Sequence, residues 1–145
     1  MKLASFALAA TFLLSSCQTD TGTEAMHGPN SISLSESAMA AISGDMVSRL
    51  AEQLAPGTVP LRLDDDQSPH KVTWQSALRS AGYAISAEPT VPAGKRRLAV
   101  TYGIDEFEGQ ILARLAIGTI EVTRGYTATA SGAVPATPLS VITRN

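Results

Sequence analysis

The chain has 145 residues, 44% of them hydrophobic and 17% charged, with 11 basic against 13 acidic residues and a formal net charge of −2. That length suits one domain and leaves little room for two, and the charge balance gives no basic surplus to hold a phosphate backbone, which argues against direct nucleic-acid binding. A single cysteine excludes an internal disulfide, a zinc knuckle and a CxxC redox pair, and an aromatic content of 5% leaves material only for a small aromatic pocket.

The chain opens on Met1-Lys2 and continues from Leu3 to Leu14 without a charge. A short positive start before an apolar run is the pattern of a secretory signal peptide, here residues 1–16. A dozen helical residues reach only about 18 Å, short of the ~30 Å hydrocarbon core, so this run is not a comfortable permanent transmembrane helix. Directly behind it stands Leu14-Ser15-Ser16-Cys17. A leucine, two small residues and a cysteine in this register are similar to a bacterial lipobox. That resemblance implies cleavage between Ser16 and Cys17, after which Cys17 carries a diacylglyceryl thioether and an N-acyl chain. The thiolate is the nucleophile able to attack a lipid donor, and small side chains at Ser15 and Ser16 leave the chain open to a protease. A plain signal peptide with an incidental cysteine, or a buried cysteine in a core helix, is the bland alternative. Gln18 stands where an aspartate would signal inner-membrane retention, which implies the outer membrane, facing the periplasm.

Residues 17–30 are polar, contain two glycines and a proline, and lack apolar periodicity, so they read as a flexible tether. Its typical span is about 20 Å. Met39, Ile42, Met46, Leu50 and Leu54 then recur at three- and four-residue spacing, the signature of a helix with one buried face. Ser33 with Glu36 fits a capping box and Ser35 is an alternative N-cap; Pro56-Gly57 supplies the stop. Asp45, Ser48, Arg49 and Glu52 are expected on the opposite, solvent- or partner-facing side.

Thr58 to Leu63 alternates as a strand, with Pro60 marking an edge or a strand start. Asp64 to Pro69 reads as a turn. A second helix is expected from about Pro69 to Ala81, with Trp74, Leu78 and Ala81 on its apolar face and Gly82 just past its end. Tyr83 to Ser86 starts a strand, and Glu88 to Gly94 is a loop. Leu98, Val100, Tyr102 and Ile104 then alternate along a strand, Asp105 to Gly109 supplies a turn, and Ile111, Ala113, Leu115 and Ile117 share one side of the next strand. Gly118-Thr119 is expected to break or bulge the chain before Ile120, Val122, Arg124 and Tyr126. The expected fold is α+β: two helices packed on a three- to four-stranded, mostly antiparallel sheet, over residues 31–126. Residues 127–145 read as an extended Ala/Thr/Pro-rich tail in which Val141-Ile142 is apolar enough to dock as a short strand.

Little in the chain points to catalysis. Asp64, Asp65, Asp66 and His70 lack the alternating oxygen ligands and glycine of a calcium loop and read as a solvated turn before the second helix. Asp105, Glu106 and Glu108 sit where burial that would raise a carboxyl pKa is not expected. No G-x-S-x-G elbow exists, and His27 and His70 both lie in polar segments. No metal ligand set and no cofactor is expected beyond the lipid on Cys17. Lys95, Arg96 and Arg97 form a basic cluster suited to lipid headgroups, an acidic partner or a glycan strand; a solvated strand entry that discourages edge pairing is the bland reading.

The lipobox Leu14-Ser15-Ser16-Cys17, the chain length, the Ala- and Ser-rich character and the Ala81-Gly82-Tyr83 junction before a β-rich half together resemble the TrbH family of conjugal transfer lipoproteins. The resemblance implies a non-enzymatic role in mating-pair formation by a type IV secretion apparatus. It also implies a membrane anchor at Cys17 and partners among the other protein components. A different envelope accessory lipoprotein, or a periplasmic binding module, stays open beside it.

Overall fold

The computed structural model describes residues 34–57, 59–63, 68–86 and 96–145. The first helix, α1, runs Glu36–Ala51, and Ser35 is its N-cap: the hydroxyl accepts from the Ala38 amide at 3.2 Å. Ser33, the other candidate cap, lies outside the described residues. Glu36 in the first turn and Arg49 in the last complement the helix dipole. The buried stripe is wider than the expected one, adding Ala38, Ser43 and Val47 to Met39, Ile42, Met46 and Leu50. It is wider because α1 meets both the sheet and the second helix.

Strand β1, Leu61–Leu63, lies parallel to β2, Leu98–Phe107. A parallel pair needs a crossover, and helix α2, Lys71–Ser80, is part of it. Pro60 marks the strand start, its carbonyl accepting from the Leu98 amide. The strand expected at Tyr83–Ser86 is reduced to one bridge, Leu61 to Ile85, along the outer side of β1. Helix α2 closes on a Schellman motif: the Tyr83 amide donates to Leu78 and the Gly82 amide to Arg79, with Gly82 at φ +92°. That end is tied to α1's exit, since the Tyr83 hydroxyl donates to the Leu54 carbonyl at 2.6 Å.

From β2 the chain meanders through β3, Gln110–Ile117, and β4, Ile120–Thr129. The turn expected over 105–109 contracts to Glu108-Gly109, with Phe107 paired to Gln110 and positive φ at both turn residues, a type I′ signature. Asp105 and Glu106 therefore belong to β2. Gly118-Thr119 is a full reversal, with Ile117 facing Ile120, rather than a break or bulge.

The three- to four-stranded expectation falls short. The sheet has six strands in the order β1-β2-β3-β4-β5, with β6 also pairing to β4. Both added strands, β5 (Gly132–Pro135) and β6 (Ser140–Thr143), fall within 127–145 and pair antiparallel with β4, one along each half of it. They form one margin, interrupted at 136–139. All four β6 residues are exposed, so nothing imposes apolar alternation on that segment.

Register assigns the two faces. Val100, Ile111, Ala113, Leu115, Ile117, Val122 and Tyr126 point to the helix side and are buried. Trp74 of α2, fully buried, stacks on Tyr102 of β2 with ring centroids 5.5 Å apart. The opposite face carries Ala99, Thr101, Gly103, Asp105 and Phe107 on β2 beside Gln110, Leu112, Arg114 and Ala116 on β3.

Candidate functional site

The residues singled out from the sequence do not converge. Ser16, Cys17, Asp64, Asp65, Asp66 and Lys95 lie outside the described residues. Arg96 is exposed and Arg97 half-buried, on the lead into β2. Asp105 and Glu106 are exposed on β2 and Glu108 in the hairpin turn. His70 precedes α2, its backbone amide donating to the Ser68 hydroxyl at 3.3 Å. Among the described residues no group of three His, Cys, Asp or Glu side chains gathers to hold a metal ion.

Two polar clusters emerge instead, one on each face of the sheet. Asp45 was expected on the solvent side of α1, yet its Oδ2 accepts from Arg124 Nη1 at 2.9 Å and from the Tyr126 hydroxyl at 2.7 Å. Arg124 also donates from Nε to the Thr137 carbonyl at 3.0 Å. One carboxylate thus joins α1 to β4, and the same arginine joins β4 to the β5–β6 crossing. A third element strengthens that crossing: the Thr137 hydroxyl accepts from the Gly125 amide at 2.8 Å. Burial, then the hydrogen bond to Asp45, pushes the Tyr126 phenol far above its ordinary pKa, so it stays a proton donor. Arg49 joins from the exposed side, 3.6 Å from Asp45 and 2.8 Å from Glu52.

On the other face, Glu121 is 8% exposed and takes Arg114 Nε at 3.3 Å and the guanidinium of Arg144. Two arginines around one buried carboxylate leave a net positive charge there; Arg144 pins the end of β6 to β4, and Arg114 ties β3 to β4. Both clusters tie elements together, α1 to β4 through Asp45 and β3 and the end of β6 to β4 through Glu121. A shallow groove of about 570 Å³ between α1 and α2 is lined by small residues such as Ser43, Gly44, Thr73 and Ser76, and no titratable side chain lines it.

Sequence reading missed both clusters because their members lie far apart in the chain; Asp45 and Arg124 are 79 residues apart. One signal was present. Arg124 falls in phase with Ile120, Val122 and Tyr126, and a charge in an apolar alternation needs a partner.

A family model described as conjugal transfer protein TrbH matches residues 20–145. A protein of Sinorhizobium fredii (strain NBRC 101917 / NGR234), described as a probable conjugal transfer protein TrbH, is 41% identical over 138 residues, covering 92% of each chain. No solved structure matches significantly.

Proposed function

The chain belongs to the TrbH family of conjugal transfer proteins, and we propose that it is a lipid-anchored, non-catalytic component of a conjugative transfer apparatus. Its partners are then the membrane, through the lipid, and other protein components of the type IV secretion machinery that forms mating pairs. The observation that carries the anchor is Leu14-Ser15-Ser16-Cys17 in lipobox register behind an uncharged apolar run. Each acyl methylene buried in a bilayer contributes about 0.8 kcal/mol, and two or three chains suffice for stable attachment. With Gln18 after the cysteine, the anchor sits in the outer membrane and the folded part faces the periplasm, beyond a tether spanning about 20 Å. Among the described residues no helix is long and apolar enough to cross a membrane. Lys95, Arg96 and Arg97 are a contact point for an acidic partner or for headgroups.

The test is metabolic labelling with a fatty-acid probe. Wild-type protein incorporates label and Cys17→Ser does not; equal labelling removes the anchor from the account. A clean deletion of the gene should lower plasmid transfer, and unchanged transfer would remove the conjugative role.

A further inference from the structure

We propose that the face of the sheet turned away from the helices is a self-association surface, and that its occupant is the same face of a second copy of this chain. The inference goes beyond the anchoring reading and does not depend on it.

The first ground is what this face leaves in water. Three of the five large apolar residues exposed among the described residues, Phe107 (69%), Val134 (50%) and Ile142 (47%), point to this side by register, while Val72 lies on α2 and Val141 on the helix side. Large exposed apolar side chains on one uncovered face mark an interaction surface more often than chance placement does. Between them the face is thin, with Ala99, Thr101, Gly103 and Ala116 forming a floor that lets another sheet approach closely.

The second ground is that bulk and charge are polarised in the same direction. Along β2 and β3, moving from the Gly118-Thr119 turn, small residues come first and the bulky Leu112 and Phe107 come last. At the outer margin Ile142 stands toward the first end and Val134 toward the last, so a reversal along the strands sets one over the other. Charge follows the same order. Arg144 and Arg114, 68% and 54% exposed, share one buried Glu121 toward the first end, whereas Asp105 and Glu108 lie toward the Glu108-Gly109 turn. Such a face is complementary to itself when reversed. A two-fold axis across the strands, between the Gly103–Arg114 row and the Asp105–Leu112 row, seats Phe107 over Thr101 of the second copy. The same operation brings Asp105 within about one strand spacing, ~4.8 Å sideways, of the second copy's Arg114. Large meets small and acid meets base in one arrangement, as an isologous interface requires.

The third ground is size. Five strand widths at ~4.8 Å and eight residues at ~3.3 Å give a face of roughly 600 Å². Two such faces bury about 1,200 Å², which reaches the range of specific interfaces.

Full-length protein purified from cells in detergent is the sample, and sedimentation equilibrium reads its association. Wild type should sediment as two chains per particle, and Thr101→Arg, which sets a long cation beneath Phe107, as one. Asp105→Arg should also dissociate the pair, and Asp105→Arg with Arg114→Asp should restore it. Thermal unfolding of each variant separates loss of association from loss of fold. The proposal is overturned if wild type is monomeric, if Thr101→Arg remains paired, or if the double variant stays apart while folded. Retention only through a different protein of the transfer apparatus, with no self-association, overturns it equally. Fatty-acid labelling of the same variants reads the anchor separately, so either reading can fail alone.

Discussion

On one side of the sheet Val100, Leu115, Ile117 and Val122 lie under the helices with at most 1% of their surface exposed; on the other, strand neighbours such as Ala99, Thr101 and Arg114 stand in water. The same strands build both sides, since alternate residues point in opposite directions. The helix side holds the stacked Trp74 and Tyr102 and the carboxylate tie from Asp45 to Arg124 and Tyr126. The open side holds small residues, one buried carboxylate between two arginines and a few exposed apolar side chains. Stability is therefore concentrated on one face, and the other is free to carry recognition. Substitutions that separate the two are the way to challenge this division.

The largest expected effect lies beneath α2. Trp74→Ala empties a fully buried site and should cost about 3–5 kcal/mol in denaturant unfolding. A cost near that of a surface change would mean α2 is not part of the cooperative unit. Asp45→Ala comes next, because it leaves the buried Tyr126 hydroxyl without its acceptor and removes the arginine's counter-charge. The loss should be about 2–4 kcal/mol, and pairing it with Tyr126→Phe in a double-mutant cycle should reveal a coupling that distant pairs lack.

Alkali probes the same tie. The Tyr126 phenol holds its proton more tightly in the folded chain than its ordinary value allows, and burial raises Tyr83 in the same direction. A raised pKa contributes stability that is complete below the unfolded value of about 10. Above that pH the unfolded chain releases protons the folded chain keeps, and stability falls by about 1.4 kcal/mol per pH unit for each such phenol. Tyr126→Phe should flatten this decline; an equally steep decline would place its cause elsewhere.

On the open face the expected stability changes are small. Thr101→Arg should stay within about 0.5 kcal/mol of wild type, because its site is exposed. A loss like that of Asp45→Ala would show that this face also carries the fold. Smallest of all is Cys17→Ser, which should leave the unfolding transition unchanged while abolishing lipid labelling.

Much of this division was readable from residue spacing. The α1 stripe from Met39 to Leu50, the Gly82 stop after α2 and the inward set Ile111, Ala113, Leu115 and Ile117 all follow from periodicity, and the structure buries or places them accordingly. Hidden from periodicity were the features that one neighbour or one distant partner decides. Strand β6 needs no apolar alternation because no helix covers it, so only Val141-Ile142 marks it within the tail, as a pair able to dock as a short strand, whereas β5, on the same margin, reads as tail throughout. Asp45 looked like a solvent residue because its partners enter the chain only at β4. The turn at Glu108-Gly109 was placed over too many residues because three acidic side chains near a glycine imitate loop composition, whereas ladder pairing carries β2 on to Phe107. Family membership was legible from Leu14-Ser15-Ser16-Cys17 and the overall plan together.

The most direct measurement is plasmid transfer from donor cells in which the gene is deleted and supplied again as Thr101→Arg, with the amount of protein in the envelope followed by immunoblot. The open face as the working surface of a conjugal transfer protein predicts transfer falling toward the level of the deletion while the protein accumulates as wild type does. Wild-type transfer from donors carrying the variant at normal abundance would contradict it.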